Sequence, residues 1–249
     1  MARRELPPPL PPETRTVGQL VAETLRLYGE RFWVSLPLGL PVAVVDQIVI
    51  GQPTGMAAVV WCIAGPFLAL AYARASTIAR PGRRDLRAWL VAVCAGALVF
   101  VPAAVLLPWF SLGATCWLAV FGFVVPVAML EGLGFRRVFP RAVELARADL
   151  VHAIGGLATF VLLFGVTQRL LLSVLHTQAD TAIRTSIALA DVVIAPLLFL
   201  GPVLLHGDQV ARLGSRRRRP RRSDADLPDA DDSHGEGRAD AQLQPGAPS

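Results

Sequence analysis

The chain contains no lysine, and all 24 of its basic residues are arginine. A genome's nucleotide bias produces that pattern without any selection by chemistry, so it carries no functional information. Catalytic signatures are missing as well. There is no GxSxG elbow, Walker loop or HExxH, and Ser35, Ser111 and Ser173 have no histidine at a recognisable spacing. His152, His176 and His206 fall at the ends of different apolar runs. That scatter predicts no metal site, no cofactor and no enzyme. The cysteines Cys62, Cys94 and Cys116 are odd in number and form no CxxC; each lies in an apolar run as a small hydrophobe. The opening MARRELPPPLPPETR lacks the apolar centre and cleavage site of a removable signal peptide, so the first apolar run is expected to serve as an uncleaved anchor.

What the chain does have is apolar length. Hydrophobic residues make up 53% of its 249 residues. They fall in runs of roughly eighteen to twenty-five nearly free of charge, the length that crosses about 30 Å of hydrocarbon as a helix. Six such runs, near 33–50, 56–72, 88–107, 112–130, 151–175 and 182–205, predict an all-α polytopic membrane bundle. Residues 1–15, dense in proline, and 213–249, basic then acidic and poor in apolar side chains, are predicted to be disordered. Residues 16–212 remain as the membrane domain.

Two segments between the runs have helical faces. Thr16 with Gln19 makes a capping box, after which Val17, Leu20, Val21, Tyr28 and Phe32 share one side. The elbow after Glu131 turns through Gly132 and Gly134, and then Phe135, Val138, Phe139, Ala142, Ala146 and Leu150 recur at threes and fours. Both are expected to be amphipathic helices at the cytoplasmic interface. The arginines decide which side that is. The lead and first arm hold five, the second loop five, the elbow four and the C-terminal region eight, whereas the opposite loops and span ends hold only Arg169 and Arg184. Short Arg-rich loops stay inside. Both termini are therefore expected in the cytoplasm of a cell-membrane protein, and the net charge of +5 needs no nucleic acid to explain it.

Charges inside spans are costly and hence informative. Asp46, Arg169 and Asp191 lie at similar depth in the outer halves of three runs. They form either a structural ion-pair cluster or a polar pocket open to the outside. Pro37, Pro41, Pro66, Pro102, Pro126, Pro196 and Pro202 either break helices to expose carbonyls or are simply tolerated, as proline is in membrane spans. Beyond the sixth run, Arg216, Arg217, Arg218, Arg219, Arg221 and Arg222 form a basic cluster beside the membrane. It fits contact with anionic lipid headgroups, and it equally fits an anchor of topology.

Pro126 near a span's end, Glu131 and Gly132 after it, and Arg141 and Leu145 on the following arm resemble the membrane-domain family found fused to glycerophosphodiester phosphodiesterases or alone in bacteria. Gly18 to Leu36, with Leu25, Tyr28 and Phe32, looks like that family's first arm and span. The resemblance covers about 16–212. Ala142 stands where a serine usually follows the arginine, and Asp208 to Arg212 matches the family's closing Asp-x-Arg-x-Arg in part. No phosphodiesterase domain accompanies it, so the resemblance implies a six-helix integral membrane protein and not that activity. The expected function is a non-enzymatic scaffold or accessory protein. Its partners would be membrane lipids and proteins meeting its cytoplasmic arms and tail, with oligomeric state left open. The alternative is a small transporter or lipid-handling protein that uses Asp46, Arg169 and Asp191.

Overall fold

The capping box at Thr16 forms: its side chain accepts from the Gln19 amide, and the Gln19 side chain accepts from the Thr16 amide at 2.8 Å. Helix α1 (Val17–Glu30) starts there, preceded by a single 3-10 turn at Pro12–Thr14. The computed structural model describes residues 11–82 and 85–218, with Arg217 and Arg218 described by backbone alone. Residues 1–10 of the lead, Arg83 and Arg84, and residues 219–249 lie outside the described residues. The last group includes Arg219, Arg221, Arg222 and the acidic run.

After α1 come α2 (Phe32–Ser35), a 3-10 turn at Leu36–Leu38, and α3 (Leu40–Val49). Pro37 has no amide hydrogen to donate to the preceding turn, and Pro41 begins a new helix comfortably at its first turn. The first apolar run is therefore a broken helix. α4 (Thr54–Ala79) and α5 (Leu86–Leu106) follow as continuous helices through Pro66 and Pro102. α6 (Ser111–Phe121) leads into a short turn of helix, α7 (Val124–Pro126), and a π-helical turn at Val127–Glu131. Gly132 then stops the span in the left-handed region at φ 67°, which only glycine enters without strain. The elbow helix α8 (Phe135–Ala148), α9 (Leu150–Leu175) and α10 (Asp180–Arg218) complete the chain.

Among the described residues there is no strand, and six segments are long and apolar enough to cross a membrane: Phe32–Val49, Thr54–Ala79, Leu86–Leu106, Ser111–Glu131, Leu150–Leu175 and Asp180–Arg216. Large side chains such as Ile63, Phe67, Leu98, Leu162 and Leu189 face outward. A surface that apolar suits lipid rather than water. Inside, close approach is arranged by small residues. A Cβ on Gly96 of α5 would stand 2.7 Å from that of Ala69 on α4, and one on Gly201 of α10 would strike the Phe160 ring of α9. Helices that gain nothing from apolar burial against lipid associate through such tight contacts.

Two boundaries differ from expectation. α10 continues through Arg218, so residues 213–218, read as the start of the disordered tail, are helical. Its 39 residues measure about 58 Å at 1.5 Å each, nearly twice a hydrocarbon core. The buried stripe of α8 is Val138, Ala142, Leu145, Ala146 and Ala148, whereas Phe135 and Leu150, expected on that face, are exposed at its ends. α1 buries Leu20, Thr24 and Tyr28 at a spacing of four. Leu20 meets the α9–α10 seam near Gly156 and Leu205, and the Tyr28 hydroxyl donates to the Val193 carbonyl at 2.7 Å. Thus α1 packs against both α9 and α10.

Candidate functional site

Among the described residues, polar side chains gather at two places toward opposite ends of the bundle, called outer and inner after the orientation that the arginines predict. The outer one holds two of the three residues that the sequence singles out. Asp46 on α3 and Asp191 on α10 bring their carboxyl groups close enough to interact. Asp191 has no solvent exposure, its Oδ1 accepts from the Gln168 side chain on α9, and its Oδ2 is buried without a hydrogen-bond partner among the described residues. Gln47, next to Asp46, donates through Nε2 at 3.1 Å to the carbonyl of Arg184, two turns before Asp191, and ties α3 to α10 again.

Arg169 does not belong to this cluster. It is exposed and makes no ion pair with any described residue. The reason is helical geometry: successive residues are about 100° apart around the axis. Gln168 continues the inward stripe of Phe160 and Phe164 at spacings of four, and its neighbour is turned away. The expected charge triad is a carboxyl pair with an amide.

The inner cluster is larger and was not expected as a site. Arg141 of α8 reaches back across the elbow, its Nε to Glu131 Oε2 and its Nη1 to Glu144 Oε2, both at 2.8 Å. The other Glu131 oxygen lies 3.2 Å from His206 Nε2 on α10. Next along α10, Asp208 Oδ1 accepts from Arg15 at 2.8 Å while its Oδ2 is 3.7 Å from His152 Nε2 on α9. One turn later Arg212 pairs with Asp149 at 2.5 Å and donates to the Arg15 carbonyl at 2.7 Å. Asp149 in turn caps α9 by accepting from the His152 amide, and its carbonyl accepts from Gln209 Nε2 at 2.9 Å.

One polar row on α10 therefore fastens the start of α1, the elbow and the start of α9. Burial opposes the charge of Arg141, but the bonds and fields of Glu144 and Glu131 outweigh that and hold its pKa above the ordinary arginine value. His152 and His206, scattered in sequence, both end up here beside carboxylates. The signal that could have found this site was the density of polar residues over 206–212, immediately after an apolar run.

Next to this row, Pro140, Val143, Glu144, Arg147 and Ala148 of α8 face Leu213 and Arg216 of α10 across a groove of about 540 Å³. Its lining mixes both charges with short apolar side chains. Among the described residues, no group of three or more His, Cys, Asp or Glu is placed to hold a metal ion. No family model, curated protein or solved structure matches the chain.

Proposed function

We propose that this chain is a six-span protein of the cell membrane with both termini in the cytoplasm, acting as a non-enzymatic scaffold or accessory protein. The carrying observation is the inner row on α10, which fixes α1, α8 and the extended end of α10 into one face with a groove in it. In this reading α1 and α8 sit at the cytoplasmic interface, and the groove and the basic end of α10 meet protein partners and anionic lipid. The relationship to the glycerophosphodiester phosphodiesterase membrane-domain family belongs to the same proposal. What supports it is that Glu131, Arg141 and Asp208, residues of the resemblance, are the ones paired across the elbow and the inner end.

The test is affinity purification of the tagged protein from its own membrane, followed by identification of co-purifying proteins and lipids. A stoichiometric protein partner that is lost when Arg147 and Arg216 are both changed to Glu supports the scaffold. A second reading, transport or lipid handling through the outer cluster, draws on the contact between Asp46 and Asp191 beside a broken helix, an arrangement that transporters use near the bilayer midplane. Purification of the protein with a lipid or solute and no protein partner, abolished by Asp46→Asn and indifferent to the groove changes, would favour it.

A further inference from the structure

We propose that Asp46, Asp191 and Gln168 form a binding site for one monovalent cation, a proton or a sodium ion, held between the two carboxyl groups. Two acceptors face each other here. Asp191 is completely buried, Gln168 satisfies only its Oδ1, and Oδ2 has no donor among the described residues. Two carboxylates brought together at the edge of an apolar bundle repel, and the buried position of Asp191 magnifies the interaction by lowering the local dielectric. A single positive charge between them removes the repulsion and satisfies Oδ2.

The backbone alongside points the same way. Pro196 has no amide hydrogen, so the Val192 carbonyl loses its regular helical donor. That carbonyl and the one of Asp191 face Gly39, where the first span is broken by its 3-10 turn; a Cβ on Gly39 would stand 2.6 Å and 2.7 Å from them. A broken helix, freed carbonyl oxygen and paired acids are the elements from which membrane proteins build ion sites.

No cation among the described residues already fills this role. Arg169 on α9 and Arg184 on α10 are both exposed and in no ion pair with a described residue, Arg184 meeting Gln47 through its carbonyl, and Tyr28 on α1 donates to Val193. α4, also packed against α3 and α10, carries no ionisable side chain between Thr54 and Ala71 other than Cys62, which faces the Val101 carbonyl of α5. The site is independent of the scaffold reading, since a structural cation would serve a scaffold and a coupled one a transporter.

The experiment follows unfolding of the full chain in mixed detergent, with choline replaced by sodium at fixed pH, and with pH lowered at fixed sodium. A ligand bound only by the folded form raises the folded-to-unfolded ratio by mass action, up to tenfold for each tenfold rise in its activity. The wild type is expected to respond to one of the two, and that arm names the ion. Asp46→Asn and Asp191→Asn should each flatten the response, while Arg169→Gln should keep it. A wild type indifferent to both cations overturns the proposal, as does a response that survives in both Asn variants. If the Asn variants do not fold, the choice rests on the wild type with Asp46→Glu, whose longer arm should weaken the response at least severalfold. An unchanged response there overturns the proposal too.

Discussion

Arg141 holds two carboxylates from two segments at 2.8 Å each, and only an arginine can do so with two separate nitrogens of a planar fork. Its removal leaves Glu131, the end of a span, with His206 alone. The groups are partly exposed, so the cost is that of a screened pair rather than of a buried one. Arg141→Leu is expected to destabilise by about 1–2 kcal/mol, and a double-mutant cycle with Glu131→Gln to show coupling of about 1 kcal/mol, read from unfolding in mixed detergent. Arg141→Lys should recover less than half of the loss, because an ammonium cannot span both partners. The outer cluster gives the opposite lesson for a neighbouring pair of residues. Gln168→Leu strands a buried Asp191 oxygen and should cost about 1–3 kcal/mol, whereas Arg169→Leu, exposed and unpaired with any described residue, should stay within about 0.5 kcal/mol. A larger loss at Arg169 than at Gln168 would restore the charge triad that the sequence suggests. Charge alone drew attention to Arg169; the stripe through Phe160 and Phe164 was the better guide to which residue points inward.

Element by element, the sequence was read well where the physics is local. The capping box at Thr16, the glycine stop at Gly132 and the apolar length of each segment depend on residues a few positions apart, and all appear in the structure. What depends on a partner was not legible. The length of α10 follows from Asp208, Gln209 and Arg212 finding acceptors and donors on Arg15, Asp149 and α9, which keeps the helix packed well past its last apolar run. The break in the first span was visible as Pro37 and Pro41, but its use, as the place where α3 and α10 touch backbone to backbone, was not. Two glycines separate these cases. Gly132→Ala meets open space and pays only for a left-handed backbone, about 1–2 kcal/mol. Gly39→Ala places a methyl 2.6 Å from a backbone oxygen that cannot swing aside, and should cost about 1–3 kcal/mol or more by forcing the helices apart. Asparagine distinguishes them, since it tolerates the left-handed backbone: Gly132→Asn should cost less than Gly132→Ala, whereas the larger side chain of Gly39→Asn should cost more than Gly39→Ala.

At the scale of the whole molecule, the structure arranges the helices but carries no direction across a membrane, and direction is what the scaffold reading needs. The elbow, the start of α1 and the end of α10 share one end through the inner ion pairs, while the α3–α4 and α9–α10 connections lie at the other. If the arginine distribution sets the orientation, the first end is cytoplasmic. Single cysteines at Thr54, Arg83, Arg136 and Gln178, each in a background with Cys62, Cys94 and Cys116 replaced, test this on intact cells with a membrane-impermeant thiol reagent. Arg136 is exposed at the start of α8 and Gln178 in the turn before α10, so neither result can be blamed on burial. Thr54 and Gln178 should label, and Arg83 and Arg136 only after the cells are opened. Labelling of Arg136 on intact cells would reverse the molecule, putting the groove outside and ending the cytoplasmic scaffold reading. The carboxyl pair would then face the cytoplasm, but the geometry on which its cation site rests would be untouched.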